Sequence, residues 1–156
     1  MSKFGKIYLA ERRQLMTQES IKPLNWEPTP GIGYTVVRRP DGGMHYTFTD
    51  LSHETLEHWH EFAGDHLLAS DRLTTNLYDL RQIDEIPPEA IDYAIEVNSD
   101  PSARNIRLAV VVKSEEVRLA IEKIPSLTTP GGVEFGLFTN IEESEAWLDR
   151  PLTLIV

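Results

Sequence analysis

The chain has 156 residues, which is enough for one domain with a substantial buried core and no covalent cross-link. It contains no cysteine, which excludes disulfides, thiolate nucleophiles and metal sites ligated by cysteine. The net charge of −10 argues against binding nucleic acid through bulk charge, and no apolar stretch approaches the ~20 residues needed to insert across a bilayer.

Residues 1–32 are predicted to form an N-terminal arm and linker. They hold five Lys and Arg against three Asp and Glu, whereas the rest of the chain carries the acidic excess. Residues 6–20 fit a helix, and a stretch rich in proline and glycine follows. No long apolar run follows the first lysines, so no signal peptide is predicted and a cytoplasmic protein is expected. The arm and the C-terminal tail, residues 151–156, are candidates for contacts in a homo-oligomer.

Residues 33–150 are predicted to form a single α/β domain. Two segments rich in β-branched and aromatic residues, 34–39 and 44–50, flank the turn sequence PDGG and predict a hairpin. Strands and helices then alternate. The helices are predicted at 52–69, 87–98, 114–124 (ending before Pro125) and 140–147, and the strands at 73–80, 106–112 and 133–138. The prediction is a mixed sheet, with an antiparallel hairpin followed by parallel strands, and helices packed on it.

Apolar periodicity predicts which residues face the core. At 100° per residue, Leu56, Trp59, Ala63 and Leu67 fall on one stripe of the first helix of the domain. Residues 106–112 are apolar at nearly every position, as expected for a strand that is covered on both faces. Trp147, in the closing helix, is also predicted to be a core residue.

Three segments carry a pattern that is more specific than secondary structure alone. These are NLYDL at residues 76–80 with isoleucines three and six positions later, RLAVVVKSE at 107–115, and a phenylalanine at 138 followed by EESEAWL at 142–148. Their order and spacing resemble those of the SpoIIAA-like family, which has the STAS-type fold of anti-anti-sigma factors. The resemblance spans about residues 33–149.

The resemblance implies a binding or regulatory module that has no catalytic residues and no cofactor. In anti-anti-sigma factors, a phosphorylatable serine begins the helix after the central strand, and the matching positions here read PPEAI at 87–91. No serine or threonine lies between Thr75 and Ser99, so a phosphorylation switch has no acceptor there. The same loop and helix start are expected to engage a protein partner or a small apolar ligand.

Candidate residues for this surface lie around the end of the central strand. Open α/β sheets bind ligands at the carboxyl ends of their parallel strands. The candidates are Tyr78, Asp79, Asp84, Glu85, Pro88, Glu89 and Tyr93. In an alternative interpretation, Tyr78 belongs to the core and Asp79 caps the loop that follows.

Four of the five histidines lie between residues 52 and 66. They do not form the H-x-H-x-D-H motif of metallo-hydrolases, because Phe62 stands where that motif needs an aspartate. His53, Glu57 and His60 share one helix flank and can supply zinc ligands, so a metal-assisted hydrolase is the alternative function. The simpler interpretation is a polar border in which Glu57 pairs with the histidines and raises their pKa above ~6.5. No nucleophile elbow, P-loop or dinucleotide motif is present.

Overall fold

A computed structural model describes residues 26–68, 74–99, 106–127 and 133–150. Within these residues the chain forms five strands and four helices, in the order that the sequence predicts. The strands are β1 (Tyr34–Arg38), β2 (Met44–Phe48), β3 (Thr74–Asp79), β4 (Ile106–Val111) and β5 (Val133–Phe138). The helices are α1 (His53–Leu68), α2 (Pro88–Asn98), α3 (Glu115–Leu127) and α4 (Ile141–Leu148). The predicted arm helix at 6–20 and the tail 151–156 lie outside the described residues.

The five strands form one mixed sheet in the order β1-β2-β3-β4-β5. β1 and β2 are antiparallel, and the remaining neighbours are parallel. The hairpin turn needs both of its glycines. Gly42 has a φ of 91°, and a Cβ on Gly43 would collide with the backbone carbonyl of Thr75 on the neighbouring strand. The predicted α/β fold with a mixed sheet is therefore confirmed.

The helices divide unequally between the two faces of the sheet. α1, α2 and α3 cover one face, where Trp59, Phe62 and Val117 join the larger buried cluster. Among the described elements, α4 is the one helix on the opposite face, where it packs against β3, β4 and β5 and Leu148 meets Ala109. Every residue of β4 is buried, as its continuous apolar sequence predicts. Within the described residues, no helix is long and apolar enough to span a bilayer.

Local chemistry accounts for the starts of the helices. The Oγ atom of Ser52 accepts a hydrogen bond from the backbone N–H of Thr55 at 3.3 Å, at the start of α1. Proline is the first residue of α2, where no backbone donor is required. The side chain of Asn140 accepts a hydrogen bond from the N–H of Glu143 at 2.8 Å, which caps α4 as predicted.

Two local predictions were wrong. α3 continues through Pro125 to Leu127, because a proline in the last turn of a helix removes only one main-chain hydrogen bond. Trp147 is only half-buried, since α4 packs on its sheet face alone and the indole lies at the margin of that contact. By contrast, Leu56, Trp59 and Ala63 are buried as predicted. The predicted boundary between arm and domain stays untested, although Trp26 and Ile32 already pack on the core.

Candidate functional site

An apolar cavity of about 80 Å³ lies between the sheet and the three helices α1, α2 and α3. The sheet forms its floor and α2 covers it, while α1 and α3 form its sides. Its wall is almost wholly apolar. The residues that define its floor, sides and cover are Trp59, Tyr78, Ala90, Ala94, Ile121 and Phe135.

The cavity exists because α2 presents small side chains to the sheet. Ala90 and Ala94 lie one turn apart on the inner face of α2 and leave space that larger residues would fill. Within α2, only Val97 is fully buried. The fold thus leaves an apolar space between α2 and the sheet.

The floor of the cavity is aromatic. The rings of Tyr46 and Tyr78 stack with centroids 4.4 Å apart, and Trp59 donates its indole N–H to the Tyr78 hydroxyl at 3.3 Å. Burial raises the pKa of Tyr78 to about 12 and holds the pKa of Tyr46 well above its usual value. Both phenols therefore remain neutral at physiological pH, and Tyr78, which lines the cavity, offers a ligand an apolar ring face.

Asp79 points away from the cavity, although it is the next residue to Tyr78 in β3. Successive strand residues face opposite sides of a sheet, so Asp79 lies on the side of α4. It is buried and accepts hydrogen bonds from Arg81 at 2.8 and 2.9 Å. Burial acts to raise the pKa of this carboxyl group, but the hydrogen bonds and charge of Arg81 together lower it. Asp79 thus caps its loop, as the alternative interpretation expected.

The seven candidate surface residues lie in three separate places. Tyr78 lines the cavity and Asp79 faces the other side of the sheet. Asp84, Glu85 and Pro88 are exposed in and after the loop that follows β3. Glu89 and Tyr93 turn towards α1. The residues therefore do not form one cleft, and docking of a protein on the exposed loop stays a prediction.

Glu89 and Tyr93 belong to a polar contact between α1 and α2, here called the α1–α2 seam. It consists of His53, Glu57 and His60 of α1 and of Glu89, Tyr93 and Glu96 of α2. His53 Nδ1 lies 2.5 Å from Glu89 Oε1, and His60 Nε2 lies 3.2 Å from Glu96 Oε1. The His60 ring also stacks on Tyr93, with centroids 4.7 Å apart. The hydrogen bond with Glu89 raises the pKa of His53.

The predicted metal ligands are instead used in this contact. His53 Nε2 lies 3.5 Å from Glu57, but His60 lies two turns further along α1 and pairs with Glu96. Among the described residues, no three His, Asp or Glu side chains are grouped so as to hold a metal ion. The geometry therefore fits the polar border, with its main partners on α2 rather than at Glu57 alone.

The sequence analysis missed the cover and one side of the cavity. Ala90 and Ala94 carry a weak sequence pattern, since two alanines four residues apart on an inward helix face leave room beneath them. Ile121 and Phe135 were assigned to the core, and nothing in the sequence shows that they border a space. That information depends on how three helices pack on one sheet.

The comparisons with known proteins show the fold alone. No protein-family model matches the chain, and no curated protein matches it. A crystal structure of an uncharacterised DUF3478-family protein with a SpoIIAA-like fold, from Shewanella loihica PV-4, is similar to it. The two chains are 19% identical, with a TM-score of 0.54, and the match covers 79% of this chain and 98% of the other. The fold is therefore SpoIIAA-like, as the sequence resemblance predicts.

Proposed function

We propose that this protein is a non-catalytic binding module that takes a small apolar ligand into the cavity beneath α2. The observation that carries the proposal is the cavity itself, which is apolar and bounded on its cover by two alanines. Such a space favours apolar molecules because it offers water few hydrogen-bond partners. The proposal also agrees with the fold, because the cavity lies on the sheet face that three helices cover.

The chemistry of the wall supports binding rather than catalysis. The phenol of Tyr78 is the ionisable group that the central strand places in the wall, and its raised pKa keeps it neutral. The carboxylate of Asp79, one residue away, is paired with Arg81 on the other side of the sheet. The wall therefore has no group suited to act as a general base near pH 7.

The size of the cavity limits what it accepts without movement. Its volume of about 80 Å³ is smaller than the ~150 Å³ of an engineered cavity that holds benzene. A ligand of more than a few heavy atoms must therefore displace part of the wall. α2 is the element best suited to move, because most of its inner face is only half-buried.

The test is a titration with the fluorescent apolar probe N-phenylnaphthylamine. Ala94→Leu fills the cavity from its cover, and Ala146→Leu makes the same change at an exposed position of α4. We expect the wild type and Ala146→Leu to bind the probe equally, and Ala94→Leu to bind it at least ~10-fold more weakly, a loss of ~1.4 kcal/mol. Equal binding by all three proteins would contradict the proposal.

The stability of the same variants shows whether Ala94→Leu fills an existing space. Leucine inserted into a well-packed core costs about 1–3 kcal/mol. Leucine placed in a cavity should leave the free energy of unfolding unchanged or raise it. A folded, stable Ala94→Leu that no longer binds the probe therefore supports occupancy of this cavity.

A further inference from the structure

The two histidine–glutamate pairs of the α1–α2 seam repeat with one geometry. His53 pairs with Glu89 across a separation of 36 residues, and His60 pairs with Glu96 across the same separation. The histidines are seven residues apart on α1, and the glutamates are seven apart on α2. A spacing of seven returns a side chain to nearly the same face of a helix after two turns. The two helices are therefore joined by two matched pairs along one side.

The seam lies beside the cavity, where α1 and α2 meet. Leu56 and Trp59 lie between the two histidines on α1, and they line the cavity. Ala90 and Ala94 lie between the two glutamates on α2, and they line it as well. Movement of α2 away from α1 along this seam would open the cavity from that side.

Carboxylates outnumber the cations of the seam. Glu54 and Glu57 of α1 and Glu89 of α2 all act electrostatically on His53, and Glu96 faces His60. α3 packs on the other side of α2. On α3, Arg118 pairs with Glu115 and Glu122 of the same helix. α3 also carries Glu116 and Lys123. When the imidazole of His53 is neutral, the carboxylates of Glu54, Glu57 and Glu89 therefore lack its compensating charge. Like charges at this distance repel.

We propose that the protonated His53 holds α2 against α1 through Glu89, beside the matched contact of His60 with Glu96, and that deprotonation of His53 as pH rises loosens α2 and admits apolar ligands to the cavity. This inference rests on the proposed function, because it concerns access to that same cavity. The seam thereby makes ligand exchange depend on pH.

The direction of the effect follows from the ionisation of His53. Its pKa is raised in the folded protein by the hydrogen bond and charge of Glu89. The stabilising contact is therefore complete below the ordinary histidine pKa of ~6.5, and it is lost as pH rises through the higher folded value. Because the His53 side chain is 61% exposed, we expect a several-fold change in rate rather than an all-or-none switch.

The first test measures the association rate of N-phenylnaphthylamine by stopped flow between about pH 5.5 and about pH 8.5, a range that brackets the ordinary histidine pKa. We expect the wild-type rate to rise several-fold with pH. The double variant His53→Gln with His60→Gln removes the imidazoles of both pairs, and it should associate rapidly at every pH. A wild-type rate that does not change with pH, or a double variant that retains the full change, would overturn the inference.

His45→Gln is the matched control. His45 lies in β2 on the sheet face opposite the three helices, and it takes no part in the seam. We expect this variant to keep the pH dependence of the wild type. If His45→Gln abolished that dependence, the titrating group would lie outside the seam and the inference would be wrong.

A distance measurement tests the seam without any ligand. The chain lacks cysteine, so Glu61→Cys and Asp92→Cys provide two exposed sites for spin labels, one on α1 and one on α2. We expect the distance between the labels to lengthen or broaden as pH rises, and to be independent of pH when both seam histidines are replaced by glutamine. An unchanged wild-type distance would overturn the inference even where the probe binds. A changing distance with no probe binding at any pH would instead overturn the proposed function.

Discussion

The guanidinium of Arg107 lies 5.5 Å from the centre of the Trp147 ring and donates a hydrogen bond to the Trp147 backbone carbonyl at 3.3 Å. The same Nη1 atom contacts the carbonyls of Leu148 and Arg150, and Nε pairs with Glu134 at 3.1 Å. The carbonyls of Trp147 and Leu148 belong to the last turn of α4, where the helix supplies no partners, and the Arg150 carbonyl lies just beyond it. A buried strand arginine thus anchors the end of the helix that covers the second face of the sheet.

Arg107→Met should lower the free energy of unfolding by about 3 kcal/mol, since it leaves several helix-end carbonyls without their buried partner. Arg150→Met is the control, because Arg150 also contacts Glu134 and the Trp147 ring but its side chain is 55% exposed. It should cost less than about 1 kcal/mol. Denaturation by urea measures both. Equal losses in the two variants would show that Arg107 does not anchor α4.

Trp59→Ala should destabilise the protein more than Trp147→Ala. Trp59 is buried between α1 and the sheet, and its removal should cost about 3–5 kcal/mol. Trp147 is half-buried, and its contacts are Phe138 and two arginines at one margin of the sheet. Its removal should cost about 2 kcal/mol, in proportion to the smaller area that it buries. Urea unfolding measures the loss of stability in each variant. A larger loss for Trp147→Ala than for Trp59→Ala would mean that α4 buries its tryptophan more deeply against the sheet.

Two glycines should respond in opposite ways to replacement by alanine. Gly64→Ala lies within α1 with open space around its Cβ position, so it should stabilise the protein by up to about 1 kcal/mol. Gly43→Ala should destabilise it by more than about 1 kcal/mol, because the new methyl group meets the Thr75 carbonyl and forces β2 and β3 apart. Thermal unfolding measures both variants. A stabilised Gly43→Ala would contradict the described hairpin.

Asp79→Asn should lower stability near pH 7 by about 1 kcal/mol, because it removes the charged partner of Arg81, a half-exposed side chain. The folded pKa of Asp79 is lowered, so its contribution is present above the unfolded value of ~3.9 and disappears as pH falls through the folded value. The difference between wild type and variant should therefore vanish in acid.

Asp84→Asn is the control for Asp79→Asn, because Asp84 is exposed in the loop that follows. It should leave stability unchanged at every pH. Urea titrations in a series of buffers test both variants. A difference between wild type and Asp79→Asn that grows in acid would contradict the assigned ion pair.

The order of the elements could be predicted because each boundary has its own local chemistry. Asn140 caps α4 and proline begins α2. The hairpin turn requires glycine at positions 42 and 43, because a side chain there would be strained or would collide. These effects depend on a few neighbouring residues, so one sequence is enough to reveal them. The same reasoning failed at Pro125, because a proline in the last turn of a helix removes only one main-chain hydrogen bond and does not end the helix.

The functional features depend on contacts that periodicity does not encode. The spacing of His53, Glu57 and His60 correctly placed them on one flank of α1, but their partners on α2 are 36 residues away. Tyr78 and Asp79 were grouped because both lie at the carboxyl end of a parallel strand, whereas strand alternation sends them to opposite faces. The cavity lies where Ala90 and Ala94 of α2 face the sheet. These two alanines do not determine the position of the sheet, so the sequence of α2 does not reveal the cavity.

The central claim is that apolar ligands enter the cavity beneath α2, and methyl NMR with added N-phenylnaphthylamine tests it most directly. The account predicts that the methyl resonances of Ala90, Ala94 and Ile121 shift most, because these residues line the cavity. Val37 and Leu119, which are exposed elsewhere on the surface, should not shift. Shifts confined to exposed residues such as these would contradict the account, since the probe would then bind the outside of the protein.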